Sequence, residues 1–265
     1  MPPIAEPGHE RYRNTDQTMR PSPIKRDFPD FALIALSWPE EVPSEADALE
    51  RMARYPFRAI HLRKPNWNKD RTEQLLQQLS PACRAKIRLH DHLELVKEYG
   101  LQGYHLNQRN RQSFLQIERD AETASWQGKA AGKLSNSPGV AGKSAIPCRI
   151  SPPHSLSCHS LEEVTEHKSH CDYLFLSPVF DSISKQGYTR HFSEEELLEA
   201  REKGIIDRQV FALGGVEAGK LPLLQSYGFG GAALLGSLWK RYIQDSNLQG
   251  LERNIEKFME ISHNQ

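Results

Sequence analysis

Short apolar runs recur along the chain, and most are followed by a segment whose apolar residues have helical spacing. Ser193 and Glu196 are spaced as a capping box at the start of one such segment, and Gly100 stands where another should stop. The predicted strands are 31–38, 59–65, 86–91, 103–107, 154–159, 171–180, 209–216 and 231–239. The predicted helices are 46–55, 72–79, 92–100, 193–204, 220–228 and 247–262.

Strand and helix candidates in alternation are typical of a parallel sheet. For 265 residues with eight strands, the pattern favours a single-domain α/β protein, a (β/α)8 TIM barrel over residues 29–265. A doubly wound open sheet is the alternative. It is disfavoured because no G-x-G-x-x-G motif follows the first strand.

Two segments do not follow this alternation of strands and helices. Residues 1–28 are rich in charge and proline without an apolar signal core, so we expect a disordered tail, and Met19 could be the true start. Residues from about 110 to 152 are rich in Gly, Ser, Ala and Lys without periodicity, which predicts a flexible insertion. Its role is open, and a tolerated insertion without function is the simpler interpretation.

Composition narrows the class of partner. Lysine plus arginine equals aspartate plus glutamate at 34 each, which gives no net field for nucleic acid or an anionic membrane surface. No window holds eighteen consecutive apolar residues. The four cysteines form no C-x-x-C pair, so reduced thiols are expected. Together these features predict a cytoplasmic protein that binds neither nucleic acid nor membrane.

Polar residues and glycines crowd at the carboxyl ends of the predicted strands, where barrels of this class carry their active sites. They are Arg63, Lys64, His90, Asp91, His92, Asn107, Ser157, His159, Ser182, Ser184, Lys185, Gly214, Gly215, Gly236 and Ser237. The glycines after strands seven and eight let backbone N–H groups approach a phosphate. A second anion could bind the two serines and the lysine in SISK (182–185) together with Arg63.

Two strand-end groups could do chemistry beyond binding anions. Asp91 is a candidate Mg²⁺ ligand, although it could equally cap the helix that follows it. His90 and His92 also leave a transition-metal site such as zinc open. His159 could move a proton at neutral pH or be a structural histidine, and Cys158 should face the opposite side and pack.

At these residues the chain resembles the thiamine phosphate synthase/TenI family over about residues 31–240, interrupted by the insertion. HLRKP (61–65) resembles the family's Q-L-R-x-K, and RLHDHLELVKEYGLQGYHLN resembles N-D-D-x-x-L-A-x-x-x-x-A-D-G-V-H-L-G-Q. SCHSLEEV resembles S-x-H-S-x-E-E, and CDYLFLSPVFDSISK resembles A-D-Y-x-x-x-G-P-I-F-x-T-x-T-K. FALGGV and GFGGAALLGSLW resemble A-I-G-G-I and G-A-D-G-V-A-V-x-S-A-I.

The resemblance implies a (β/α)8 barrel, usually a homodimer, that acts on the phosphorylated thiazole of thiamine. Synthases join it to hydroxymethylpyrimidine diphosphate with Mg²⁺ and release pyrophosphate, whereas TenI-type members tautomerise the thiazole carboxylate phosphate through a histidine without a metal. The roles carried over are a diphosphate site at Arg63, Ser182, Ser184 and Lys185, a Mg²⁺ ligand at Asp91, thiazole phosphate binding at Gly214, Gly215 and Gly236, and acid/base chemistry at His159.

The departures from the family pattern bear on which chemistry remains. The second metal aspartate of the synthases falls at Asn110, Lys64 stands one place early, and the two threonines become Ser182 and Ser184. The leading hypothesis is therefore a TenI-like enzyme acting through His159, with the thiamine phosphate synthase as the alternative. A non-catalytic thiazole or thiamine phosphate-binding protein and an unrelated phosphosugar barrel also remain open.

Overall fold

The computed structural model describes residues 31–107, 109–110, 154–180 and 192–263. Eight parallel strands close into a barrel in the order β1 to β8, with β1 pairing β8 as well as β2. The strands are β1 Ala32–Leu36, β2 Ala59–Leu62, β3 Ile87–Leu89, β4 Gly103–Leu106, β5 His154–Cys158, β6 Tyr173–Leu176, β7 Val210–Ala212 and β8 Gly231–Leu234. The prediction of a (β/α)8 barrel is confirmed.

Nine α-helices lie among the described residues. They are α1 Glu45–Ala53, α2 Lys69–Gln78, α3 Pro81–Arg84, α4 Leu95–Glu98, α5 Leu161–His167, α6 Glu194–Glu202, α7 Leu221–Ser226, α8 Gly236–Asp245 and α9 Leu248–His263. The predicted capping box is present: the Ser193 side chain accepts from the Glu196 N–H and the Glu196 carboxylate accepts from the Ser193 N–H.

The pleat of the strands divides the buried side chains into two sets. One set lies between the sheet and the helices and forms the larger core, in which β-strand residues such as Leu33 and Leu174 pack with helix residues. The other fills the barrel interior. Its apolar members are Ala32, Ile34, Leu36, Ala59, Tyr173, Phe175, Phe211 and Ala233. The strands β2 to β5 add His61, Arg88, His105 and Ser155, which are also buried, so one side of the interior is polar.

Two predicted elements needed correction. The predicted strand 231–239 ends at Leu234, and Gly236 begins helix α8. The predicted helix 92–100 is a single turn, Leu95–Glu98, preceded by His92 at φ 54. Helix α5, Leu161–His167, was not predicted. The proposed tail 1–28 and most of the proposed insertion 110–152 lie outside the described residues.

Helix α8 is fixed to the barrel by buried aromatic residues. Trp239 is fully buried, and its indole N–H donates to the Leu36 carbonyl at 2.6 Å. Tyr242 donates its hydroxyl to the Pro43 carbonyl at 2.8 Å. These contacts set the start of α8 at the carboxyl end of β8, where the candidate site lies.

Candidate functional site

The corner after β7 and β8 has the chemistry of an anion site. Helix α8 starts at Gly236 without a side-chain cap, so the first N–H groups of this ten-residue helix are not satisfied by a cap side chain. The hydroxyl oxygen of Ser237 is buried and has no hydrogen-bond partner among the described residues. A Cβ at Gly236 would meet nothing within 4 Å, which leaves open space beside these donors.

The β7 end is shaped by two glycines with positive φ, Gly214 at 96° and Gly215 at 60°. A Cβ at Gly214 would lie 2.9 Å from the Cβ of Pro178, so this position requires glycine for two independent reasons. Lys220 donates to the Gly215 carbonyl at 3.0 Å and lies 4.6 Å from the Phe180 ring centroid. The turn is thus held from both sides.

His159 follows β5 directly and is exposed. Its Nδ1 lies 2.8 Å from the Ser177 carbonyl oxygen, which can only accept, so Nδ1 carries the proton in this contact. In the neutral ring, Nε2 therefore has the free lone pair. The His159 backbone N–H donates to the Glu163 carboxylate at 2.7 Å, which fixes the residue to α5. An anchored imidazole with a free Nε2 is suited to accept and return a proton.

Ser157 lies inside the mouth of the barrel, half-buried, with its hydroxyl 2.7 Å from Nε2 of His105. On the other side of the same ring, Nδ1 lies 2.9 Å from the Ser155 hydroxyl, which itself donates to the Tyr104 carbonyl at 3.3 Å. Because Ser155 gives its proton to that carbonyl, His105 Nδ1 is the donor and Ser157 donates to Nε2. Ser157 is thus tied to the barrel interior.

Arg63 is partly buried at the end of β2, and its backbone N–H donates to the Ser37 hydroxyl at 2.9 Å. Burial, and then the neighbouring charge of Arg109, lower the pKa of its guanidinium from the ordinary value of 12.5, while Asp91 acts in the opposite direction. Arg109 is 3.4 Å from the Asp91 carboxylate. Arg109 therefore pairs with the Asp91 carboxylate, and Arg63 lies near enough to feel the charges of both.

Asp91 and Asn110 were the positions to test for Mg²⁺. Asp91 does not cap α4, which has no side-chain cap, and its Oδ2 is buried without a hydrogen-bond partner in the described part of the chain. Asn110 donates its amide to the carbonyls of His90 and His105 at 2.7 and 2.6 Å, and its oxygen accepts the Asn107 N–H at 2.7 Å. Among the described residues, this corner supplies one carboxylate ligand facing two cations, which is not a magnesium site by itself.

Lys64 was predicted with the strand-end residues of the active site, but the structure buries its side chain in an ion pair. Its ammonium lies 2.5 and 2.6 Å from the two carboxylate oxygens of Glu45 and donates to the carbonyls of Trp38 and Glu40 at 2.8 and 2.7 Å. Both charged side chains are almost fully buried. Lys64 joins β2 to the loop before α1 and is a structural residue in this state.

The barrel interior holds three histidines of which only His90 was considered from the sequence. His61, His90 and His105 are buried, and candidate ligand nitrogens from the three lie within 4.8 Å of one another. Burial is the largest cause that lowers their pKa values, to about 3 for His105 and well below the ordinary 6.5 for the other two. All three rings are neutral at neutral pH.

His92 is separate from this group, since its Nε2 contacts the Trp67 carbonyl oxygen at 2.9 Å. The suggested pairing of His90 with His92 is therefore wrong. Cys158 is fully buried, as expected for a packing residue. Ser182, Ser184 and Lys185 lie outside the described residues, so their predicted diphosphate role stays a prediction.

Fold and site together describe a (β/α)8 barrel with an anion corner at the ends of β7 and β8 and an anchored histidine at the end of β5. A family model described as thiamine monophosphate synthase matches residues 155–238. The thiamine phosphate pyrophosphorylase structure from Bacteroides thetaiotaomicron is 27% identical with a TM-score of 0.64, covering 88% of this chain and 97% of that one. These two similarities support assignment of the chain to the thiamine phosphate synthase/TenI family.

Two further structures agree in fold. The thiamine phosphate pyrophosphorylase from Pyrococcus furiosus is 17% identical with a TM-score of 0.57, covering 86% of this chain and 96% of that one. The tryptophan synthase alpha subunit from Campylobacter jejuni is 12% identical with a TM-score of 0.54, covering 87% and 96%. No curated protein matched. None of the described helices is long and apolar enough to cross a membrane.

Proposed function

We propose that this chain acts on the phosphorylated thiazole of thiamine biosynthesis as a TenI-like thiazole tautomerase. The observation that carries the proposal is His159, whose Nδ1 is held by the Ser177 carbonyl, which leaves the lone pair of the neutral ring on Nε2. A tautomerisation moves one proton from one ring position to another, and one imidazole can take it up and return it. The reaction needs no metal and no second substrate.

The phosphate would bind at the start of α8. The uncapped N–H groups of Gly236 and Ser237 and the unpartnered Ser237 hydroxyl are the donors that support this, with Gly214 and Gly215 allowing close approach. Ser157 and Arg63 border the same mouth and would contact the ring and its carboxylate. Lys64 has no part in this arrangement because Glu45 already holds it.

The test uses thiazole carboxylate phosphate with chelator present, following conversion between its tautomers. His159→Gln should lower kcat by about 10²–10⁴-fold, the usual share of general acid–base catalysis, and leave phosphate binding unchanged. The control is His170→Gln, because His170 is exposed in the 3-10 turn after α5. Turnover by His159→Gln at the wild-type rate would remove His159 from the mechanism.

Thiamine phosphate synthase activity is the second candidate, and one observation favours it. The buried, unpartnered Asp91 Oδ2 could serve as a cation ligand once a diphosphate supplies the remaining oxygens. Thiazole phosphate and hydroxymethylpyrimidine diphosphate would then give thiamine phosphate and pyrophosphate only with Mg²⁺, and Asp91→Asn should abolish the product. Formation of thiamine phosphate at the same rate in chelator would contradict this route.

A binding protein without catalysis makes a different prediction. It would bind thiazole phosphate tightly and turn over neither substrate set, whereas failure to bind thiazole phosphate at all would point to another phosphosugar chemistry.

The homodimer implied by the family resemblance is checked by light scattering on the same sample.

A further inference from the structure

Histidines stand on three consecutive strands of the barrel: His61 in β2, His90 directly after β3 and His105 in β4. Their exposed fractions are 0%, 4% and 1%, and one candidate ligand nitrogen from each lies within 4.8 Å of the other two. The proposed tautomerase reaction uses none of them. We propose that His61, His90 and His105 together bind one zinc-type divalent ion.

The ligand set suits a borderline-soft transition metal. Imidazole nitrogens are preferred ligands of Zn²⁺ and its neighbours, and three histidines with an open fourth position form one of the standard catalytic zinc sites. A ring binds metal only when it is deprotonated, and these buried rings are neutral already. No carboxylate of the described residues belongs to this group, so the hard cations Mg²⁺ and Ca²⁺ should not compete for it.

The outer partners fix two of the rings, as they do at metal centres. His61 contacts the Tyr173 hydroxyl through Nε2 at 2.7 Å, which directs Nδ1 to Nε2 of His90 at 2.9 Å. His105 donates from Nδ1 to Ser155, so its Nε2 carries the lone pair, which Ser157 now occupies at 2.7 Å. An ion would replace the His61–His90 and Ser157–His105 hydrogen bonds with metal–nitrogen bonds.

Metal binding requires the rings to move in a specific way. Tetrahedral zinc with Zn–N bonds of about 2.0–2.1 Å separates its ligand nitrogens by roughly 3.3 Å. The His61–His90 separation of 2.9 Å must widen slightly, and the nitrogens that lie up to 4.8 Å apart must come closer together. The rings of His90 and His105 are stacked, with centroids 4.1 Å apart and planes 25° apart, so one must tilt for both lone pairs to meet at one ion.

The three histidines are bordered by a paired arginine, an aromatic ring and a half-buried serine. Arg88 lies below it in the barrel, and its charge is paired with Asp172 at 2.7 Å. Phe175 packs 4.8 Å from the ring centroids of both His61 and His105 and closes one side. Ser157 is half-buried, so the side toward the mouth is the side from which an ion would enter.

The test is a Co²⁺ titration of untagged, chelator-treated full-length protein, because four-coordinate Co²⁺ has intense visible absorption bands. We expect bands that saturate at one equivalent and disappear when Zn²⁺ is added, with no response to Mg²⁺. Each of His61→Gln, His90→Gln and His105→Gln should weaken Co²⁺ binding at least tenfold, while the exposed control His170→Gln should not.

Elemental analysis after dialysis against Zn²⁺ gives an independent count, with one zinc per chain expected. The wild-type titration keeps the proposal falsifiable even if a variant fails to fold. Absence of the cobalt bands from the wild type, or equal binding by folded His61→Gln protein, would overturn it. Tautomerase activity in chelator is a separate readout, so failure of the metal site and failure of the proposed function are distinguishable.

Discussion

The buried ion pair between Lys64 and Glu45 leads to a sharp prediction about stability. The two side chains are 2% and 5% exposed, and the ammonium lies within 2.6 Å of both carboxylate oxygens. Removing one partner leaves the other charge buried, and it must then stay charged at high cost or change its protonation state. We therefore expect Lys64→Met to destabilise the protein strongly and in a pH-dependent way.

The size of the destabilisation by Lys64→Met follows from the free-energy cost of protonating Glu45. Burial already raises the pKa of Glu45 from 4.5, and Lys64 is the main influence that lowers it, so losing Lys64 raises this pKa further. Protonating a carboxyl of ordinary pKa 4.5 at pH 7.5 costs 3 units of 1.36 kcal/mol, about 4 kcal/mol. A raised pKa in the folded state means stability that is present below pH 4.5 and lost as pH rises. The loss caused by Lys64→Met should thus grow by about 1.4 kcal/mol per pH unit.

Glu45→Gln should have the opposite pH dependence, with a loss of stability that grows as pH falls. Burial lowers the pKa of Lys64 from 10.5, and Glu45 is the main influence that raises it. Without Glu45, stability is complete above pH 10.5 and is lost as pH falls, again by about 4 kcal/mol at pH 7.5. The double variant Lys64→Met with Glu45→Gln should lose both pH dependences of stability.

Urea unfolding at pH 5.5, 6.5 and 7.5, followed by circular dichroism, measures these slopes. The control is Lys203→Met, which removes a surface pair with Glu199 whose side chains are 60% and 63% exposed, and which should change stability by less than about 0.5 kcal/mol without a slope. The reasoning is refuted if Lys64→Met keeps wild-type stability and instead loses affinity for thiazole phosphate. Lys64 would then be an anion ligand.

Three shorter predictions concern other positions. Gly214→Ala should cost about 1–3 kcal/mol because of its φ of 96° and the Pro178 contact, whereas Gly236→Ala should not, and thermal unfolding compares them. Ser237→Ala should leave stability unchanged but weaken phosphate binding about tenfold by calorimetry, since its hydroxyl has no partner among the described residues. Cys83, whose pKa burial raises to about 12, should react with iodoacetamide at pH 8 only after unfolding, as peptide mass spectrometry would detect.

The barrel could be predicted because its strands are short, apolar and regularly spaced. The end of β8 could not be found in the same way. GAALLGSLW is apolar except at Ser237, because β8 is buried on both faces and the following helix α8 buries Leu238 and Trp239. Only Gly236 and Ser237 interrupt the run, and Gly236 is the residue that begins the helix.

The direction of Lys64 was partly readable from the sequence. Adjacent side chains in an extended segment point to opposite faces, so Arg63 and Lys64 could not both line the mouth. Which of the two turned away depended on Glu45, nineteen positions earlier, whose proximity only the fold reveals. His61 and His105 were missed because only residues at strand ends were considered as candidates. Each lies on the inward face two residues before a strand-end residue.

Asn110 shows why the metal chemistry of a synthase is not one substitution away. Its amide donates to two backbone carbonyls, those of His90 and His105, and so holds the ends of β3 and β4 together. An ionised aspartate here could not donate a hydrogen bond to either carbonyl. Both carbonyls would then be left unsatisfied in a buried position. A second carboxylate ligand would therefore require the β3 and β4 ends to rearrange as well. The local fold depends on a donor at this position, whereas the reaction proposed for His159 needs no second carboxylate and no such rearrangement.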